Sequence, residues 1–166
     1  MHTLFLMRHA QPAHVAPNGG GDHDRPLTAL GRRQAAEAGR TLTLRGVDLA
    51  MVSSSVRTRQ TFECLGLDCE VETMRALYGA GVGTVRQRIS ETPEEVGTLL
   101  VVAHSPAIPQ LAAQLSDASD PAAASELSCH FPAGTLTEIR LDGPWTELLD
   151  EYSTATSLVA TQEPAL

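Results

Sequence analysis

Short apolar runs alternate with amphipathic stretches along most of the chain. Residues 3–7 form an apolar run that ends at Arg8, and Leu49 to Ser53 and Thr98 to Ala103 form two more. Runs of this length between polar or turn-forming residues predict buried strands. The run at 98–103 is apolar on both faces, which is typical of a strand inside a parallel sheet. Val71 indicates a weaker strand between the second and third runs.

Between these runs the spacing of apolar residues becomes helical. Thr28 is predicted to cap a helix that extends to about Arg45, where Gly46 ends it. Ser54 or Ser55 is predicted to cap a second helix, which Gly66 terminates. Two further helices are predicted, from Val82 to about Glu91 and from Ser105-Pro106 to about Leu115.

The last third of the chain has weaker signals. A loop is predicted around Pro121, and Thr135 to Leu141 and Trp145 to Glu151 indicate an antiparallel pair at a sheet edge. Residues 1–154 are predicted to form a single domain, and residues 155–166 a loose tail that follows it. The alternation of strands and helices predicts a three-layer α/β/α sandwich with a mainly parallel sheet and an antiparallel edge near the C-terminus.

Composition narrows the function. The chain has 166 residues and a net charge of −8 with neutral histidine, and all 12 basic residues are arginine. The acidic balance argues against nucleic acid as a partner, because sequence-independent binding needs a positive footprint. The absence of lysine argues against Walker-A phosphate binding and Schiff-base or pyridoxal-phosphate chemistry, which need an ammonium group.

The cysteines and the N-terminus indicate a cytoplasmic protein. Cys64, Cys69 and Cys129 form no C-x-x-C pair, so we expect reduced thiols. The apolar stretch before Arg8 is too short for a signal peptide, and no apolar run could span a bilayer. We therefore expect no membrane association, and the sequence leaves the oligomeric state open.

Polar residues follow three of the predicted strands. Arg8 and His9 follow the first, the segment from Ser53 to Arg57 follows the second, and His104 follows the run at 98–103. Ligands of parallel sheets bind beyond the carboxyl ends of the strands, so these side chains should lie together. Two arginines and two histidines there form a cage for a phosphoryl dianion. Each piece alone also fits a structural role; their coincidence favours a phosphate site.

These residues belong to segments that resemble the histidine phosphatase superfamily, whose fold is phosphoglycerate-mutase-like. The chain is short and has no inserted cap, which is similar to the SixA-type phosphohistidine phosphatase branch. One difference is Ala10 in place of the usual glycine of the Arg-His-Gly signature. Four segments carry the resemblance in order: Leu4 to Ala10, Arg25-Pro26-Leu27-Thr28-Ala29-Leu30-Gly31, Ser53 to Thr61, and Val101-Val102-Ala103-His104.

The resemblance implies a covalent mechanism without metal or cofactor. His9 would attack phosphorus and form a phosphohistidine, which water then hydrolyses. Arg8, Arg57 and His104 would bind the phosphoryl oxygens and stabilise their charge in the transition state. Arg25 is placed to reach the phosphate too, with a structural role as the alternative. The implied substrate is a phosphorylated small molecule or a phosphoprotein.

The chain departs from larger family members in its proton donor. Those members carry a glutamate between the second arginine and the second histidine, whereas residues 76–81 contain no carboxylate. Asp22 and Asp24 are candidate general acids, with solvated loop acids as the alternative. They lie in a loop at 11–26 whose length predicts a functional or mobile segment. Tyr78 is assigned mainly to packing.

The expected function is hydrolysis of phosphohistidine or another phosphate with a good leaving group. Two alternatives stay open. A phosphate-binding module with little or no turnover would fit Ala10 and the missing glutamate, and a phosphoglycerate mutase is disfavoured because the chain is short. The remaining histidines are assigned to the surface: His2, His14, His23 and His130.

Overall fold

A computed structural model of the chain describes residues 1–165. Within them, no helix is long and apolar enough to cross a membrane. Four short 3-10 turns lie at Pro17–Gly19, Asp22–Asp24, Arg75–Leu77 and Trp145–Leu149. The strands and α-helices follow one another as β1 (His2–Arg8), α1 (Ala29–Arg45), β2 (Leu49–Ser53), α2 (Val56–Leu65), β3 (Glu70–Met74), α3 (Val82–Ser90), β4 (Thr98–Ala103), α4 (Ala107–Ser116), α5 (Pro121–Cys129), β5 (Leu136–Leu141) and β6 (Thr156–Gln162).

The strands of the described residues form one sheet in the order β3-β2-β4-β1-β5-β6. The first four strands are parallel, because β4 pairs in parallel with both β1 and β2, and β2 with β3. β5 runs antiparallel to β1, and β6 antiparallel to β5. The mainly parallel sheet with an antiparallel edge near the C-terminus is therefore confirmed.

Successive residues of the central strands face opposite layers of helices. On one face, Leu4, Leu6 and Val101 belong to a core that includes buried residues of α3, α4 and α5. On the other face, Phe5 and Met7 belong to a core with buried residues of α1 and α2. Each fully buried side chain of this kind stabilises the fold by roughly 1.5–3 kcal/mol. This arrangement confirms the three-layer α/β/α sandwich.

Local signals set the boundaries of α1 and α2. The Thr28 hydroxyl accepts a hydrogen bond from the Gly31 amide, and the Ser55 hydroxyl accepts one from the Thr58 amide. Each cap satisfies an amide that the first helical turn leaves unpaired. Gly66 ends α2 in the left-handed conformation, with φ at 69°. The predicted starts and ends of these helices are confirmed.

Three predictions for the C-terminal third are wrong. The loop predicted around Pro121 is α5, which begins with Pro at its first position and an Asp120 side chain that accepts from the Ala123 amide. The strand predicted at 145–151 is a 3-10 turn, because Trp145 is buried and its indole donates to the Val96 carbonyl at 3.0 Å. The partner of β5 is β6, which lies inside the loose tail predicted at 155–166.

Close contact between α1 and α2 depends on Gly39. A Cβ atom at this position would lie 2.1 Å from the Leu65 carbonyl oxygen. We expect Gly39→Ala to lower the free energy of unfolding by about 1–3 kcal/mol, as overpacking does, because the two helices must separate. Urea denaturation measures this change. Gly83→Ala in α3 is the matched control, because its Cβ would meet no atom within 4 Å; an equal loss in both variants would contradict the packing argument.

Candidate active site

Side chains from the carboxyl ends of β1, β2 and β4 meet in one cavity. Parallel pairing sets Arg8 opposite Ala103, so the residues that follow these two strands leave the sheet together. The cavity has a volume of about 270 Å³. Its walls include the four residues predicted to handle phosphate, and its full lining is Arg8, His9, Asp22, Arg57, Tyr78, Gly79, His104 and Ser105.

His9 is held in one tautomer. Its Nδ1 lies 2.8 Å from the Ala10 carbonyl oxygen, and because a carbonyl only accepts, Nδ1 carries the proton. Burial lowers the pKa of the His9 imidazole to about 3, with a smaller contribution from the nearby His104, Arg57 and Arg8 and against the opposing effect of this hydrogen bond. His9 is therefore neutral at physiological pH, with its lone pair on Nε2. This is the form that a nucleophile requires.

His104 forms the opposite wall. Its Nε2 lies 2.7 Å from the Ser53 hydroxyl oxygen, and its ring centroid lies 5.4 Å from that of His9. Burial and then the charge of Arg57 lower the pKa of the His104 imidazole to about 4. Its Nδ1 is buried and has no hydrogen-bond partner among residues 1–165.

The two arginines are positioned in different ways. Arg8 donates a hydrogen bond from Nη1 to the Phe131 carbonyl at 2.8 Å. Its Nε is buried and has no hydrogen-bond partner within the described residues. Burial lowers the pKa of the Arg8 guanidinium from its ordinary value. Arg57, in the first turn of α2, donates to the Asp22 carbonyl at 2.8 Å and to its carboxylate at 3.0 Å. Its side chain is only 9% exposed.

Asp22 brings a carboxylate to the cavity. One oxygen, Oδ2, accepts from the Tyr78 hydroxyl at 2.6 Å and from Arg57, and the other accepts from Arg25 at 2.8 Å. These bonds, that from Tyr78 first, hold the pKa of the carboxyl well below its usual range. Asp22 is thus ionised, and it forms an ion pair with Arg57, whose guanidinium is predicted to bind phosphate. Its predicted role as general acid would require substrate binding to raise this pKa.

The other two loop residues lie outside the cavity lining. Arg25 donates from Nε to the Ala13 carbonyl at 2.8 Å and from Nη1 to Asp22, contacts that fit its structural alternative. Asp24 is exposed, with its carboxylate 3.9 Å from the His23 ring. The structure therefore brings Asp22, but neither Arg25 nor Asp24, to the cavity wall.

Tyr78 and two histidines have other roles than the sequence assigned. Tyr78, assigned mainly to packing, lines the cavity with its ring edge-on to His104 at 5.6 Å. It follows β3 just as the other site residues follow their strands, a signal that the sequence contained. His23 bonds the Ser54 hydroxyl at 2.9 Å and anchors the loop. The surface assignment of His2 is wrong, because its ring is buried against Trp145.

Ala10 fits the position where the family signature has glycine. Its amide donates to the Thr61 hydroxyl at 3.1 Å, and the residue is fully buried in a small cluster with Leu27 and Ala35. The methyl group therefore packs into the core instead of the cavity. The carbonyl of Ala10 still accepts from His9, so the substitution leaves the tautomer of His9 in place.

The comparisons with known proteins agree with this fold. The model of the histidine phosphatase superfamily (branch 1) matches residues 4–96. An uncharacterized protein of Mycobacterium tuberculosis is 40% identical over 146 residues, which cover 86% of this chain and 91% of that protein. A phosphohistidine phosphatase SixA homolog of Haemophilus influenzae is 28% identical over 162 residues, covering 89% and 93%.

The solved structures give the same result. A Nakamurella multipartitia protein assigned as the phosphohistidine phosphatase SixA is 35% identical, with a TM-score of 0.88, and the match covers 99% of this chain and 97% of that one. A protein histidine phosphatase SixA solved with tungstate shares the fold, at 24% identity and a TM-score of 0.76 over 98% and 97% of the chains. The chain belongs to the histidine phosphatase superfamily and resembles its SixA-type members.

Proposed function

We propose that the protein is a metal-independent phosphatase that transfers a phosphoryl group first to His9 and then to water. The observation that carries the proposal is the state of His9. Its proton is fixed on Nδ1 by the Ala10 carbonyl, and its neutral Nε2 belongs to a cavity lined by two arginines. A nucleophile with its lone pair available beside fixed cations is the arrangement that phosphoryl transfer needs.

The reaction has two displacements at phosphorus. In the first, Nε2 of His9 forms a bond to phosphorus as the bond to the leaving group breaks. In the second, a water oxygen forms a bond to phosphorus as the bond between phosphorus and Nε2 of His9 breaks. Neutral His9 is regenerated, inorganic phosphate is released, and the protons of the water go to the phosphate and solvent. Arg8, Arg57 and His104 bind the non-bridging oxygens in both steps. A bound dianion would raise the pKa of His104 and favour its protonated form.

The leaving group is the part of the substrate that the site helps least. Asp22 is ionised, and residues 76–81 offer no carboxylate. Once the other ring nitrogen of phosphohistidine carries a proton, imidazole leaves as a neutral group whose conjugate acid has a pKa near ~6.5, so the reaction needs no strong acid at the bridging nitrogen. This supports phosphohistidine, or another phosphate with a good leaving group, as the substrate. The name of the Haemophilus influenzae relative supports the same choice.

One observation favours a second candidate, a phosphate-binding module with little turnover. One terminal nitrogen of Arg57 donates to the backbone carbonyl of Asp22 and the other to its carboxylate, so these two contacts compete with phosphate for the guanidinium. Hydrolysis of an activated phosphate substrate separates the two candidates. A phosphorylated partner and a cytoplasmic location remain predictions of the sequence in either case.

The nucleophile gives the first prediction about activity. We expect His9→Ala to abolish hydrolysis while the protein stays folded, because His104, the other imidazole that lines the cavity, has its Nε2 bonded to the Ser53 hydroxyl. Labelled substrate should transfer an acid-labile, base-stable phosphoryl group to the wild type and none to the variant. His14→Ala is the control, since His14 is an exposed histidine in the loop at 11–26. Wild-type turnover by a folded His9→Ala variant would contradict the covalent mechanism.

The groups proposed to bind the phosphoryl oxygens give the second prediction about activity. Arg57→Ala and His104→Ala should each lower kcat by on the order of 10²–10³ and change KM less, because these contacts strengthen in the transition state. Steady-state kinetics on one aryl phosphate measures both constants. Arg59→Ala, two residues along α2 and exposed, is the matched control. A larger change in KM than in kcat would assign these residues to ground-state binding instead.

The same assay tests the absence of a metal. Phosphate and vanadate should compete with substrate, and EDTA should leave the rate unchanged. Loss of activity with EDTA and recovery with a divalent cation would show that a metal ion supplies positive charge that the proposal assigns to the arginines and His104.

The third prediction about activity concerns the leaving group of the substrate. We expect kcat/KM to fall steeply as the leaving-group pKa rises, because a positioned acid typically contributes about 10²–10⁴-fold and none is protonated here. Phosphohistidine, acyl and nitrophenyl phosphates should react, and phosphoserine and sugar phosphates should react poorly. A flat dependence would show that a proton donor acts. Asp22→Asn would then identify it by losing alkyl phosphate turnover alone, with Asp24→Asn as its matched comparison.

A further inference from the structure

The hydroxyl group of Thr61 connects the two chain segments that carry His9 and Arg57. Thr61 lies in α2, one turn after Arg57, and is fully buried. Its hydroxyl donates a hydrogen bond to the Arg57 carbonyl at 2.7 Å and accepts one from the Ala10 amide at 3.1 Å. Because one hydroxyl can donate and accept at the same time, a single oxygen atom joins α2 to the segment that follows β1.

The Ala10 amide belongs to the peptide group between His9 and Ala10, which is held from both sides. Its N–H donates to Thr61, and its carbonyl, that of His9, accepts from the Gly134 amide at 2.8 Å. A peptide group is planar, so hydrogen bonds to its N–H and its carbonyl together fix the direction of the plane. The Cα atom of His9 is part of this plane. The hydroxyl of Thr61 therefore helps to set where the imidazole leaves the backbone.

The same peptide group bears on the hydrogen bond that fixes the tautomer of His9. The Ala10 carbonyl accepts from Nδ1 of His9 at 2.8 Å, and only the φ and ψ rotations of Ala10 separate this carbonyl from the amide that Thr61 holds. The buried Ala10 packs in one cluster with Leu27 and Ala35, which restricts those rotations. Both the direction of the His9 ring and the position of its proton thus depend on the contact between Ala10 and Thr61.

On its other side, the hydroxyl bonds the backbone of the residue that supplies a guanidinium to the cavity. Arg57 lies in the first turn of α2, and its side chain reaches from there to the Asp22 carboxylate. Thr61 thus fixes the backbone of Arg57 relative to that of His9. Attack on phosphorus needs the reacting atoms about 3–3.5 Å apart and aligned, and a displacement of about 1 Å can slow a reaction on the order of 10²-fold.

From this geometry we propose that Thr61 is a positioning residue for phosphoryl transfer. Its hydroxyl sets the orientation of His9 relative to Arg57, and its burial keeps it from touching a substrate. The inference rests on the phosphatase function proposed above and adds a group that acts through those two residues. Ser116 provides a control, because its buried hydroxyl makes the comparable bond within α4, to the Ala112 carbonyl at 2.7 Å, and neither residue lines the cavity.

Two pairs of proteins isolate the hydroxyl of Thr61. Thr61→Val keeps the shape of the wild-type side chain without its hydroxyl, and Thr61→Ala differs from Thr61→Ser by the hydroxyl alone. In each pair, the protein without the hydroxyl should have a kcat on an aryl phosphate at least about tenfold lower, with a smaller change in KM. Ser116→Ala should keep the kcat of the wild type. Urea denaturation establishes that each variant is folded under the assay conditions, and the second pair decides the result if Thr61→Val does not fold.

NMR of the ring nitrogens, with isotope-labelled histidine, tests the positioning without turnover. The His9 signals, assigned by their absence from His9→Ala, should show one tautomer with the proton on Nδ1 in the wild type and in Thr61→Ser. Thr61→Ala should show exchange between the two tautomers.

Two results would overturn the proposal. One is an equal kcat in Thr61→Ala and Thr61→Ser, and the other is a loss of stability in Thr61→Ala with the tautomer and kcat of the wild type, because Thr61 would then stabilise the fold alone. Failure of the phosphatase function itself would look different. The wild type would then hydrolyse no phosphate, while its NMR signals would still depend on the Thr61 hydroxyl.

Discussion

The parallel pairing of β1, β4 and β2 is the constraint on which the site depends. These strands are apolar on both faces, so they can only be buried between two layers of helices. Parallel pairing then forces their carboxyl ends to one edge, where Arg8 and His9 leave β1 and His104 leaves β4. The reactive groups are brought together by the packing of the core, before any contact among themselves stabilises them.

That arrangement collects positive charge in a buried place, which is unfavourable without an anion. Burial lowers the pKa values of His9 and His104 to about 3 and about 4, so both imidazoles are neutral and the positive charge of the cavity lies on the two arginines. Asp22 supplies the missing negative charge by binding Arg57. A phosphoryl dianion offers more negative charge than one carboxylate, so it would compete with Asp22 for Arg57. Asp22 therefore acts as a counter-ion that a substrate can displace.

The parts of the molecule that the sequence predicts are those with local causes. Caps at Thr28 and Ser55 and apolar runs at 3–7 and 98–103 act within a few residues, and the side chains after those strands could be placed by the sheet alone. Other features depend on distant partners. β6 is a strand only because β5 lies beside it, and Trp145 forms no strand because the Val96 carbonyl holds its indole in the core. Pro121 predicts a loop from the sequence alone, although a proline is favourable at the first position of a helix, which is where it lies in α5.

The protonation state of the cavity bears on which substrates the proposed phosphatase would accept. The ionised Asp22 limits which bonds can break, because an alkoxide, whose conjugate acid has a pKa near ~15.7, cannot leave without a proton. Under the proposed function an N–P bond meets this limit, because imidazole leaves as a neutral group once its other ring nitrogen carries a proton. The absence of a protonated carboxyl group would then favour phosphohistidine over alkyl phosphates.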